Sequence, residues 1–206
     1  NASAVKRIMS EWKEFKGETH TEFYASPTEV CGRDARAGVD QIDNLFEWHF
    51  TLRGPADTEF EQGIYHGRIT LPTEYPFRPP HVLFLTPNGR WEVNKRVCGP
   101  GRLAVTDQMQ ICLTFTGYHE DEWQPAWGIR TALLGVQALM SSKPDEAGYG
   151  ALKLPPEDRE ALALSSGKWT CPVCGCMNRD LLAPRSAGGA SAVSYTHLTL
   201  PTIAVC

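Results

Sequence analysis

Three strand-like segments follow one another in this sequence with no helix-length pattern between them. Apolar and polar residues alternate from Phe46 to Leu52, which predicts a half-buried strand. Further strand patterns run from Tyr65 to Leu71 and from His81 to Thr86, and the polar stretch 56–63 predicts a hairpin between the first two strands. Parallel strands need a long crossover connection, so strands in such close succession predict an antiparallel meander.

Helical patterns lie on both sides of these strands. The first helix is predicted, with Ser3 as its N-cap, by an apolar stripe that consists of Val5, Ile8, Met9, Trp12 and Phe15. A central helix that packs on the sheet is predicted by a second stripe, formed by Ile129, Ala132, Leu133, Val136 and Met140. Prolines and acidic residues at 155–158 predict the first turn of a third helix. The predicted fold class is therefore α+β.

Composition limits the classes of protein to which the chain can belong. With 206 residues, 42% of them apolar, the chain can bury the core of one domain. The net charge of −4 gives no reason to expect nucleic acid as a partner, and no basic run interleaved with aromatic residues is present. Seven cysteines without framework spacing fit a reducing compartment. The longest apolar stretch, around 132–140, is too short to cross a bilayer.

Cys112 stands in an apolar run between Ile111 and Leu113. A cysteine thiolate can accept an acyl group as a thioester and pass it on, because the thioester stays reactive. A cysteine between two aliphatic residues is, however, more often a small buried hydrophobic residue. A papain-like protease is disfavoured because no His/Asp partner for the thiol is evident, so the local sequence alone leaves an acyl carrier and a core residue open.

Several motifs stand in a fixed order around this cysteine. Upstream are Tyr-Pro-Phe-Arg-Pro-Pro at 75–80 and Thr-Pro-Asn at 86–88, and downstream is Trp-Gln-Pro-Ala-Trp at 123–127. Together with Asp-Asn-Leu-Phe-Glu-Trp-His-Phe at 43–50, they resemble the core of the ubiquitin-conjugating enzymes. The resemblance runs from about Ala4 to about Asn178 and narrows to the J-type branch, in which Thr-Pro-Asn replaces the more common His-Pro-Asn. It implies the ubiquitin-conjugating fold, which has the same order of a helix, a meander and further helices.

The resemblance also implies a reaction. Cys112 would accept ubiquitin as a thioester from the activating enzyme, and a lysine of a substrate protein would then attack the thioester with the help of a RING-type ligase. Asn88 would donate a hydrogen bond to the oxyanion or shape the nearby loop, although Pro-Asn-Gly is also a plain turn signal. His119 is interpreted first as a loop residue. No bound cofactor is expected, because ATP is consumed by the activating enzyme.

Partner contacts follow from the resemblance in the same way. The first helix and two loops are expected to meet the activating enzyme and the ligase, through Lys6 and Arg7 on the helix and through Phe77, Pro125 and Ala126 on the loops. Trp123 belongs either to the second loop contact or to the core beneath the cysteine. J-type enzymes sit on the cytosolic face of the endoplasmic reticulum membrane by a C-terminal anchor and act in the degradation of proteins from that compartment. The anchor is expected to lie outside this chain, which by itself is expected to be soluble.

Two alternatives from other classes compete with the enzyme. An inactive ubiquitin-conjugating-like module would only bind partners, but such variants lack the cysteine that is present here. A zinc-binding adaptor would be built on Cys171 and Cys174, whose Cys-x-x-Cys spacing is half of a zinc knuckle. Structural zinc needs four ligands, and no second pair lies at a suitable spacing. We therefore expect an exposed Cys-x-x-Cys without metal.

Two segments are extra relative to the family, Val30–Gln41 and Val97–Gln110. Both open with Val-Cys-Gly and close at a glutamine followed by isoleucine, which is compatible with retained short introns. Loop insertions are the alternative, since surface turns tolerate them at modest entropic cost. The expected organisation is a catalytic domain at 1–168, a Cys-x-x-Cys extension at 169–182 and a linker-like, non-native tail at 183–206.

Overall fold

A computed structural model places three helices around an antiparallel sheet. It describes residues 2–16, 19–32, 42, 44–93, 123–142 and 151–185. Within these ranges the helices are α1 (Ala2–Lys16), α2 (Ile129–Met140) and α3 (Pro156–Ser166). The strands are β1 (Phe23–Pro27), β2 (Glu47–Arg53), β3 (Ile64–Thr70) and β4 (His81–Phe84), and short 3-10 turns lie at Thr28–Val30 and Asn178–Asp180.

The strands pair in the order β1-β2-β3-β4, and every pair is antiparallel. The predicted meander and the α+β class are confirmed. Strand β1 was not predicted, because it is only five residues long, contains small residues and ends in a proline. The register places Ala25, Phe50, Gly67 and Phe84 in one row across the sheet. A Cβ at Gly67 would lie 2.3 Å from the Phe50 ring, so only glycine fits in this row.

The main core lies between this row of the sheet and the helices. All five residues of the predicted α2 stripe are buried, as expected for a helix that packs on a sheet. On α1 the buried apolar residues are Ala4, Ile8, Trp12 and Phe15. The helix starts at Ala2, so the prediction of Ser3 as an N-cap is wrong. Among the described helices, none is both long enough and apolar enough to span a bilayer.

The prediction of a half-buried β2 is also wrong, because its second face is covered. His49 and Thr51 are fully buried although the alternating pattern assigns them to solvent. Residues 167–185, called here the C-terminal segment, pack against this face. The Asn178 amide nitrogen donates to the Ile64 carbonyl at 2.7 Å, and the Ala183 amide donates to the His20 carbonyl at 2.8 Å.

Candidate functional site

Two neighbouring loops present the residues that were predicted to contact a ligase. Phe77 exposes 69% of its surface, and Pro125 and Ala126 are exposed on the second loop. These three residues are called here the loop patch. Trp123 is buried, and its indole nitrogen donates to the Pro76 carbonyl at 2.7 Å. Trp123 therefore ties the two loops together from beneath and holds their apolar tips on one surface.

Glu11 on α1 is the centre of the hydrogen bonds that hold these loops. Its carboxylate is buried and accepts from the Tyr75 hydroxyl and from the Arg7 Nε, each at 2.6 Å. The other carboxylate oxygen accepts from the amide of Ile129 at 2.7 Å, at the N-terminus of α2, where a negative charge is favourable. A Cβ at Gly128 would lie 2.8 Å from that oxygen, so a larger residue there would displace the carboxylate.

The two basic residues predicted on the outer face of α1 have different environments. Lys6 is exposed. The Arg7 guanidinium donates to Glu11 and also to the carbonyls of Ala126 at 3.3 Å and Trp127 at 3.1 Å. Its hydrogen bond to Glu11 raises the pKa of Arg7. Arg7 therefore supports the second loop from below, a structural contact that the sequence analysis did not foresee.

Asn88 is fully buried, and its side chain organises the turn after β4. Its carbonyl oxygen accepts from the amides of Arg90 at 2.9 Å and Trp91 at 2.8 Å, and its amide nitrogen donates to the Thr86 carbonyl at 3.1 Å. Three of the four hydrogen-bonding positions of the amide are thus used within the turn, and the remaining N–H has no partner among the residues that the structure describes. The geometry accounts for loop shaping and is compatible with donation to a reacting oxygen.

The predicted nucleophile, Cys112, lies outside the described residues. The same holds for His119, for the extra segment 97–110 and for residues 33–41 of the extra segment 30–41. The juxtaposition of Cys112 with Asn88 therefore stays a prediction.

The Cys-x-x-Cys motif is not exposed, contrary to the sequence-based expectation. Cys171 is fully buried and Cys174 is half-buried. Cys174 lies in a group with Cys31, His49 and His66, whose potential ligand atoms are all within 4.8 Å of one another. Sequence spacing carries no signal for this group because its members come from four separate segments.

The two histidines of this group are held uncharged by their surroundings. Burial lowers the pKa of His49 to about 4, and the nearby Arg68 guanidinium adds to the effect. Burial also lowers the pKa of His66. Both imidazoles are therefore neutral near pH 7, the state in which a ring nitrogen offers a lone pair.

Comparison with known proteins identifies a family. The family profile described as ubiquitin-conjugating enzyme matches residues 7–151. Ubiquitin-conjugating enzyme E2 J1 from Mus musculus is 44% identical over 188 residues, which cover 91% of this chain and 50% of that protein. Ubiquitin-conjugating enzyme E2 32 from Arabidopsis thaliana is 42% identical over 177 residues, which cover 86% of this chain and 48% of that protein. The chain thus spans about half the length of the curated relatives it matches.

The fold is also similar to a solved structure. A crystal structure from Plasmodium yoelii, whose name assigns it to the ubiquitin conjugating enzymes, is 27% identical in sequence. The match has a TM-score of 0.52 and covers 78% of this chain and 92% of that one. The resemblance drawn from the sequence motifs is confirmed by the profile and by the similarity to the E2 J1 proteins.

Proposed function

This chain belongs to the ubiquitin-conjugating enzyme family, and on that premise we propose that Cys112 carries ubiquitin as a thioester. Similarity to the E2 J1 proteins supports the J-type branch. Ubiquitin is received from the thiol of an activating enzyme and passed to a lysine of a substrate protein. The activity, the partners and a role in degradation at the endoplasmic reticulum membrane are part of this proposal.

The loop patch is the observation that best supports a conjugating enzyme that works with a ligase. Phe77 is a large apolar side chain in an exposed position, and buried bonds through Trp123 and Glu11 hold the two loops behind it. An exposed aromatic residue on a rigid support is typical of a protein-binding surface. We assign this surface to the ligase, and the exposed Lys6 on α1 to the activating enzyme and the ligase.

The proposed reaction consists of two acyl transfers. In the first, the Cys112 thiolate attacks the ubiquitin carbonyl, and the activating enzyme leaves as a thiolate. In the second, a lysine amine attacks the new thioester, the C–N bond forms, the C–S bond breaks, and the amine proton is lost. Each attack places negative charge on the carbonyl oxygen, which a preorganised N–H can stabilise. The remaining N–H of Asn88 is our candidate for that donor.

A charging assay tests the proposal. The chain is incubated with activating enzyme, ATP and ubiquitin, and we expect an adduct that a thiol reductant removes. The assay is run with and without Val97–Gln110, because this segment separates Asn88 from Cys112 in the sequence. If neither form yields an adduct, an inactive binding module becomes the better description.

Replacing Asn88 separates its two roles. Asn88→Asp keeps an oxygen that can accept from Arg90 and Trp91 but loses the donor, whereas Asn88→Ala loses both. We expect both variants to slow lysine discharge by about 100-fold, the effect of one lost oxyanion donor. Only the alanine variant should also loosen the turn. The measurement is hydrogen exchange, which should be faster at the amides of Arg90 and Trp91 in that variant. Wild-type discharge in Asn88→Asp would restrict Asn88 to loop shaping.

Phe77→Ala tests the loop patch. Because Phe77 is mostly exposed, its loss should change the free energy of unfolding by less than about 0.5 kcal/mol. Ligase-stimulated discharge should fall by roughly tenfold, as for a hot-spot residue, relative to discharge without ligase. Leu164→Ala is the matched control, since Leu164 is an aliphatic residue on α3 with 68% exposure. Equal losses in both variants would contradict a specific contact at Phe77.

A further inference from the structure

Four side chains from distant parts of the sequence meet where the C-terminal segment crosses the sheet. Cys31 follows the 3-10 turn after β1, His49 and His66 lie on β2 and β3, and Cys174 lies in the C-terminal segment. From this cluster we propose a structural zinc site in which Cys31 and Cys174 bind as thiolates and His49 and His66 bind as neutral imidazoles. The proposal is independent of the conjugating activity.

Two of the distances between ligand atoms already match a tetrahedral zinc site. The Cys174 sulfur lies 3.6 Å from His66 Nε2, which lies 3.1 Å from His49 Nδ1. With usual zinc–ligand distances, a tetrahedron has edges of about 3.6 Å between sulfur and nitrogen and about 3.3 Å between two nitrogens. The remaining pairs are within 4.8 Å. Only small side-chain movements therefore separate the cluster from a coordinated geometry.

The surroundings of the cluster orient its members. His66 Nδ1 is hydrogen-bonded to the Thr51 hydroxyl at 2.9 Å, so its Nε2 faces the cluster. A hydrogen-bond partner on the second ring nitrogen fixes the orientation of a metal-binding imidazole. The loop that carries Cys174 is closed by a hydrogen bond from the Gly175 amide to the Cys171 carbonyl at 2.9 Å. Gly175 has φ +73°, which favours glycine, so the loop presents Cys174 in a defined place.

Charge and burial favour zinc in particular. Cys31, His49 and His66 are buried, and four protein ligands close the site, as in structural zinc centres. Two thiolates balance the two positive charges of the ion, so no net charge is buried, and each thiol loses its proton to solvent on binding. A tetrahedral set of two sulfurs and two nitrogens is typical of zinc.

Cys171 is the nearest competitor for the place of Cys31. It is fully buried and interacts with both His66 and Cys174. The four-atom geometry selects Cys31, whose ligand atom lies within 4.8 Å of the other three. In this arrangement the ion joins the turn after β1, the strands β2 and β3, and the C-terminal segment, and it fastens that segment over the sheet.

Metal analysis of the full chain is the first test. The protein is purified under reducing conditions without chelator, and we expect about one zinc per chain, as four ligands define one site. Replacement of zinc by cobalt(II) should give the visible absorption of a tetrahedral ion together with thiolate-to-cobalt charge transfer. A chain without zinc, one that binds only iron, or one with a disulfide among these cysteines would overturn the proposal.

Single substitutions test the ligand set. Zinc should be lost from Cys31→Ser, Cys174→Ser and His49→Gln, and Thr51→Val should weaken binding by about 10–100-fold. Cys176→Ser is the control, because Cys176 is not one of the four ligands and its sulfur donates to the carbonyls of Cys31 at 3.3 Å and Cys174 at 3.6 Å, bonds that serine can make. Zinc lost from Cys171→Ser but kept in Cys31→Ser would overturn the assignment of Cys31.

Proteolysis of the wild-type chain tests the site without any variant. The C-terminal segment contains Lys168, Arg179 and Arg185, three positions that trypsin recognises. Removing zinc with a chelator should open the segment and speed cleavage there by at least about tenfold, and added zinc should restore protection. Cleavage that does not depend on zinc would rule out a structural role for the ion.

Discussion

Cys112→Ala is expected to reduce ubiquitin charging to background, because no other group in the proposed mechanism can form the thioester. Cys112→Ser should form at most an ester that a thiol reductant does not cleave, and it should form it slowly, since a hydroxyl is a far weaker nucleophile than a thiolate. The measurement is gel analysis of the adduct with activating enzyme and ATP, with and without reductant.

The control for this experiment is Cys98→Ala, which removes another cysteine of the same region. We expect the adduct to persist in this variant. An adduct that persists in Cys112→Ala would show that another thiol carries ubiquitin and would end the assignment of Cys112.

Glu11→Ala is expected to be the most destabilising substitution of a charged residue on α1. It removes the acceptor of three donors at once and leaves the Tyr75 hydroxyl and the Ile129 amide buried without a partner. Each unsatisfied buried donor costs about 1–3 kcal/mol, so the free energy of unfolding should fall by about 2–4 kcal/mol. In a chain of this size that lowers the melting temperature by about 5–15 °C.

The matched control is Glu14→Ala, an exposed glutamate one turn further along the same helix. Its effect should stay within about 0.5 kcal/mol. The loss of stability in Glu11→Gln should lie between those of the two alanine variants. The glutamine amide has one carbonyl oxygen, whereas Tyr75 and Ile129 donate to two different oxygens of the carboxylate. Equal melting temperatures for the Glu11→Ala and Glu14→Ala variants would show that the buried carboxylate contributes nothing to stability.

The elements that were predicted correctly are those in which the periodically spaced apolar residues are also the residues that the fold buries. Every residue of the α2 stripe is buried, because the helix packs on a sheet whose position the meander already determines. Strand β1 was missed because Phe23–Pro27 has weak strand propensity and forms through pairing with β2. Glu11 was missed because a charged residue next to an apolar stripe is normally solvated, and only its three donors make burial favourable.

The cysteine and histidine group shows a different limit of sequence reasoning. Zinc-knuckle spacing identified Cys171 and Cys174 as half of a possible site and found no second half, and of these two only Cys174 belongs to the group. The other members are supplied by strand pairing, which places His49 next to His66, and by the path of the C-terminal segment. Contacts between residues more than a hundred positions apart leave no periodic pattern in one sequence, so only the folded chain reveals them.

The covered second face of the sheet has a consequence for how this chain can evolve. Positions 49, 51 and 66 are core positions that carry polar residues, since the C-terminal segment packs over them. In a library of all single substitutions, they should tolerate as little change as Trp48 and Phe50 on the opposite face. Drift in the C-terminal segment is then constrained by the strands beneath it, so the two regions are expected to change together in related sequences.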